Sequence, residues 1–200
     1  MRRALDVSAL PALAFGARAT LWWGVVGLMA IEGTALAMTI ASYLYLRQNF
    51  VEWPPAGTMA PALGAATAEL VVLLASLVPM ALVDGAARRQ QYLPVTVGLG
   101  VVTVFGLASL GLKALQFAGA LGCRWDSHAY GSLVWLLLGM HAAHVITSTV
   151  ENALITAVLV KGPVEAKDYV DAHVNALFWY FVVAAWVVVY ALVYLGPRWL

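Results

Sequence analysis

Two histidines and a glutamate interrupt an otherwise apolar run at 130–160. His141, His144, Ser148 and Glu151 fall at i, i+3, i+7 and i+10, so at helical spacing they form one polar stripe. Glu32 and Glu69 interrupt two other apolar runs. Ionisable groups inside a bilayer face a protein partner or a water-filled cavity, where they carry protons or ions, hold a metal, or pair with one another. His141, His144 and either Glu32 or Glu151 are the donor types of a small metal site, although helix-spaced histidines alone are weak ground for one. A haem between helices needs ligands from two facing helices. Only this run has interior histidines, because His128 and His173 lie at span ends. Glu32, Glu69 and Glu151 are also the groups a small transporter would use, but no internal repeat or pair of broken helices accompanies them. Nucleophile triads, glycine-rich phosphate loops and Cys-x-x-Cys pairs are absent from the sequence, so no intrinsic enzymatic activity is expected.

The elements that position these residues follow from composition. Of 200 residues, 63% are hydrophobic and 10% charged, against roughly a quarter charged in an ordinary soluble domain. This predicts an all-α polytopic membrane protein, a bundle of five transmembrane helices at about 21–46, 61–83, 92–115, 130–160 and 173–195. Residues 1–20 form an amino tail along the cytoplasmic surface, and 21–200 form one transmembrane domain. Asp6, Ser8, Pro11 and Arg18 break up the apolar stretch that a signal peptide would need. Cys123 is the only cysteine, which excludes an internal disulfide and any multi-cysteine metal site. A net charge of +1 with no basic patch excludes a nucleic-acid partner.

Depth along each span gives expected contacts. Glu32 and His141 each lie about 11 residues, or ~16–17 Å, into their spans from opposite ends, so they are expected to meet near the midplane. Glu69 is ~12 Å in, within reach of interfacial water, and Lys113 near a span end can snorkel to the headgroups. Segments 84–91 and 161–171 read as charged turns. Seven basic residues (Arg2, Arg3, Arg18, Arg88, Arg89, Lys161, Lys167) fall on the amino-terminal side and four (Arg47, Lys113, Arg124, Arg198) on the other. That bias places the amino end in the cytoplasm and the carboxyl end outside. Gly24, Gly27, Gly98, Gly100, Gly106, Gly111 and Gly139 allow close helix approach, either within the bundle or against a partner.

Trp23-Gly24 with Glu32, Trp53-Pro54-Pro55, Tyr130-Gly131-Ser132, Gly139-x-His141-x-x-His144-Val145 and Phe178-Trp179-Tyr180-Phe181-Val182 with Trp186 occur in this order. On these motifs, from Trp22 to Trp199, the chain resembles subunit III of the haem-copper cytochrome c oxidases, in the five-helix form without the two leading helices of longer members. Glu32 matches the family's buried membrane glutamate. The resemblance implies a non-catalytic subunit that holds no redox centre or metal of its own and is seated against a catalytic subunit carrying haem and copper. It further implies phospholipid in a cleft, support of proton uptake and oxygen supply, and residence in the bacterial inner membrane. Departures are clear. Where the family's third helix ends Leu-Gln-Ala-x-Glu-Tyr, this chain has Leu112-Lys113-Ala114-Leu115-Gln116-Phe117, so a carboxylate is replaced by an amide. The family's Trp-His-Phe-Val-Asp is here Trp179-Tyr180-Phe181-Val182-Val183, and Glu69 and Glu151 look like additions. These losses keep open an accessory protein of nitric oxide reductases, from the same family.

Overall fold

The structure, a computed structural model, describes residues 14–199. Most of the amino tail expected at 1–20 therefore lies outside the described residues. All described secondary structure is helical: α1 (Thr20–Gln48), α2 (Leu63–Arg88), α3 (Tyr92–Leu115), α4 (Ala129–Lys161), α5 (Ala166–Tyr190) and the short α6 (Gly196–Trp199). π-helical turns extend α3 over Gln116–Ala120 and join α5 to α6 over Ala191–Leu195. The first five are long and apolar enough to cross a bilayer. Helices close every backbone hydrogen bond within the segment, which hydrocarbon requires. The chain is an integral membrane protein of five spans.

Two ends differ from the hydropathy reading. α2 continues through Asp84 to Arg88, and α5 begins at Ala166, so much of 84–91 and 161–171 is helix. A charged residue ends a hydrophobic run without ending a helix, because outside the bilayer it is solvated. α5 starts at Ala166 because a capping box fixes it there: Asp168 accepts from the Glu165 amide at 2.8 Å. α4 starts at Ala129 because the His128 ring accepts from the Gly131 amide at 2.9 Å.

α5 is the hub. It packs on α2, α4 and α1, and 56% of its most apolar window is buried, against 11% for α1, which lies outside on α4 and α5. Five polar links join α5 to its neighbours: His173 to Asp84 (2.5 Å), Asn175 to Asn152 (2.8 Å), Trp179 to Ser76 (2.9 Å), His141 to the Val182 carbonyl (3.2 Å) and Thr67 to Tyr190 (2.8 Å). The three to α2 run in opposite sequence order on the two helices, which makes the pair antiparallel. At ~0.6 kcal/mol for an average interhelical bond in a membrane, five contribute about 3 kcal/mol.

Elsewhere packing is steric. Gly106 on α3 faces the Thr149 side chain so closely that a β-carbon would overlap it, and Gly98 faces Val83 in the same way. The other five glycines singled out above have open space beside them and take no part in internal packing. At the end of the bundle where α1 stops, Trp53 stands edge-on to Tyr43 and Tyr130 and donates to the Tyr43 hydroxyl at 3.0 Å, which seats the 49–62 loop.

Candidate functional site

The densest polar cluster lies around Glu69. Its carboxylate pairs with Lys113 at 2.9 Å, and the two side chains are 0% and 3% exposed. Ser109 donates to Oε1 at 2.9 Å and the Gln116 amide donates to Oε2 at 2.5 Å. The Tyr194 hydroxyl in turn donates to Gln116 Oε1 at 2.6 Å. Lys113 Nζ also lies 3.3 Å from the centre of the Trp186 ring, whose face attracts a cation. The far neighbour is His141, stacked on Trp186 with centroids 4.7 Å apart. One connected set of side chains therefore joins α2, α3, α4, α5 and the turn after α5.

This arrangement corrects two expectations. Glu69 does not reach interfacial water, and Lys113 does not snorkel. The expected third span stopped two residues beyond Lys113, whereas the helical path continues to Ala120 and leaves Lys113 ~10 Å from its end. Glu69 lies ~9 Å from the start of α2 at the same end of the bundle, so the two depths match. The structure also resolves an apparent loss. The resemblance expects a carboxylate at position 116; here Gln116 stands against a carboxylate supplied from α2 by Glu69.

The second cluster joins α1 to α4. Glu32 meets His144, not His141: Oε2 and Nε2 are 3.0 Å apart, with side chains 34% and 10% exposed. The partner helix is the expected one, but the contact slips by one turn, because counting from span edges assumes helix ends in a common plane and α4 is four residues longer than α1. His141 instead faces α5. Its Nε2 must carry the hydrogen, because the Val182 carbonyl can only accept, and this leaves Nδ1 as a buried acceptor without a partner. In the Glu32–His144 pair one proton lies between carboxyl and imidazole, and the exposed side of Glu32 faces out of the bundle.

An amide in place of the Glu32 carboxylate keeps an acceptor for His144, so Glu32→Gln is expected to leave stability within ~0.5 kcal/mol. Glu32→Leu orphans the imidazole and is expected to cost about 1 kcal/mol. The fraction of chain still folded after graded heating in detergent separates the two, and equal loss in both would contradict the pairing.

Of the polar stripe expected on α4, His141, His144 and Ser148 are buried, but Glu151 is exposed and Asn152 takes its place. Measured from the direction of His141 at about 100° per residue, Glu151 lies roughly 80° round the helix, beyond His144, and Asn152 about 20° to the other side. Trp179 is fully buried and donates to Ser76, and Tyr180 packs on the core within electrostatic reach of Asp84 and Arg88. Among the described residues no group of three His, Cys, Asp or Glu side chains gathers as metal ligands would.

Between the loops that join α1 to α2 and α3 to α4, a cavity of about 520 Å3 is lined by Thr58, Cys123, Arg124 and His128 among others. Its polar groups already have partners: Arg124 holds Asp126 below the usual carboxylate range through bonds of 3.0 Å, and His128 bonds Thr58 at 2.8 Å.

Sequence reasoning overlooked Lys113, Gln116, Ser109, Tyr194 and the Asp84–His173 pair as site residues. The available signal was that Glu69 and Lys113 are opposite charges, each within an apolar helix, on consecutive helices.

No family model matches the chain. It is 22% identical over 179 residues to the cytochrome c oxidase subunit 3 of Thermostichus vulcanus, covering 88% of this chain and 87% of that one. Against the subunit 3 of Bacillus subtilis (strain 168) it is 25% identical over 170 residues, covering 82% and 80%. The protein of the same name from Alkalihalophilus pseudofirmus is 23% identical over 167 residues, covering 82% and 81%. Over most of its length, then, this five-span bundle is similar to proteins named cytochrome c oxidase subunit 3.

Proposed function

We propose that the chain is a non-catalytic integral subunit of a haem-copper respiratory oxidase complex. The observation that carries this reading is similarity extending nearly end to end in both partners, at 88% and 87% coverage in one case. The five-span bundle and a mid-membrane glutamate paired with an α4 histidine support it. In this role haem and copper sit in the partner catalytic subunit, and this chain supports turnover through bound phospholipid and the supply of protons and oxygen. The membrane is a bacterial inner membrane in this reading, and the seven-to-four distribution of basic residues supports an amino end on its cytoplasmic side.

The test is gentle detergent purification through a tag on this chain, with mass spectrometry of what accompanies it and a reduced-minus-oxidised spectrum. A haem-copper catalytic subunit is expected, with the haem signal lost when that subunit is stripped away. Whether that subunit reduces oxygen or nitric oxide then decides between an oxidase and a nitric oxide reductase. A lone colourless chain would overturn the proposal.

A further inference from the structure

Asp84 and His173 pair near the end of the bundle where α2 stops and α5 begins, and the proposed function leaves them without a task. The histidine is 4% exposed. Its Nδ1 lies 2.5 Å from Asp84 Oδ1, and because a carboxylate only accepts, Nδ1 carries the hydrogen. Nε2 is buried with no hydrogen-bond partner among the described residues, so in the neutral ring it holds a lone pair. Asp84 is also bonded to Arg88 at 3.3 Å, which matches its charge from within α2. Tyr180 of α5 lies within electrostatic reach of both. On the side of the segment before α1, His173 meets hydrocarbon, and Arg18 of that segment is exposed.

The hydrocarbon is Phe15, which precedes the single turn Gly16–Arg18 leading into α1 and stands edge-on to the imidazole with ring centroids 5.7 Å apart. Next to it Ala19, Trp22 and Val25 pack on Val170 and Val174 of α5. These contacts are apolar, and α1 is the least buried of the five spans. The start of α1 is therefore held by packing that lies over a titratable ring. A neutral imidazole suits an apolar lid. A second proton, taken up at Nε2, turns the lone pair into a charged N–H with no acceptor beside it, while Asp84 is already matched by Arg88. Burying such a donor is costly, and water relieves the cost only if the lid lifts.

We propose that Phe15 and the turn after it form a pH-sensitive latch on α5, closed over neutral His173 and released when that ring takes up a second proton. Acid on this side of the membrane thereby loosens the beginning of α1, the helix that carries Glu32. The latch rests on contacts within this chain and not on which complex it serves, so the latch and the oxidase reading can fail separately.

The test uses the full chain in nanodiscs, with Cys123→Ser removing the native thiol and spin labels attached through Ala17→Cys and Ala166→Cys, both at exposed positions. Pulsed electron paramagnetic resonance reads the distance between the labels. One short distance is expected at about pH 8, and a longer population is expected to grow roughly tenfold by about pH 5, the range in which an imidazole gains charge. His173→Asn puts an amide N–H where Nδ1–H stood, keeps the bond to Asp84 and cannot take the second proton, so it is expected to stay short at both pH values. Phe15→Ala removes the lid and is expected to show the longer distance already at about pH 8. A distance independent of pH, an unchanged pH response in His173→Asn, or a closed Phe15→Ala would each overturn the proposal. Shortening on acidification would overturn it as well, showing that the Asp84 pair tightens when charged.

Discussion

Lys113→Met is expected to destabilise the bundle by about 3–5 kcal/mol, and adding Glu69→Gln to it is expected to restore all but ~1–2 kcal/mol. Removing one member of a buried pair leaves an uncompensated charge, whereas replacing both removes the problem. In the double variant the amide introduced at position 69 can still bond Ser109 and Gln116, and no charge remains. Thermal stability in detergent of the two single variants and the double variant measures all three. Additive losses in the double variant would show that Lys113 and Glu69 do not act as a pair.

Trp186→Ala is expected to cost a comparable 3–5 kcal/mol, and Trp186→Phe about 1 kcal/mol. The indole is fully buried, stacks on His141, packs edge-on to Tyr194 and lies under the Lys113 ammonium. Deleting it opens a cavity that the surrounding rigid helices cannot close, and removes the cation's aromatic partner. Its Nε1 has no acceptor, so phenylalanine keeps most of the contacts and loses no hydrogen bond. Retained folding of Trp186→Ala at wild-type temperature would mean that the aromatic stack contributes little.

The five spans were legible because apolar runs of bilayer length have one solution for their backbone polar groups. Helix ends were less so: hydropathy reports the depth of the bilayer, and α2 and α5 extend beyond it over Asp84–Arg88 and from Ala166. Glu32 led to the right helix and the wrong histidine, since vertical offset between helices is set by packing. Glu151 belonged to the expected stripe by spacing, but it falls at the stripe's edge beyond His144, where no helix covers it, and Asn152 at the opposite edge is buried against α5. The Glu69–Lys113 pair was hidden for a related reason. Its depth match emerges only when the π-helical turn after Leu115 is counted as part of α3, and that turn has no hydropathy signature.

The hub position of α5 has a consequence for how the chain is made. α5 is the last span to be synthesised, at about 5–20 residues per second. Glu69 and Lys113 belong to α2 and α3, so this pair can close while the rest of the polypeptide is still on the ribosome. Ser76 and Asp84 have partners within α2, the Leu73 carbonyl and Arg88, but His141 gains its only hydrogen-bond partner among the described residues, the Val182 carbonyl, with α5. Until α5 is made, the buried His141 imidazole on α4 has no carbonyl to bond and Trp179 is not yet there to join Ser76, so the polar matching of α2 and α4 is completed only by α5.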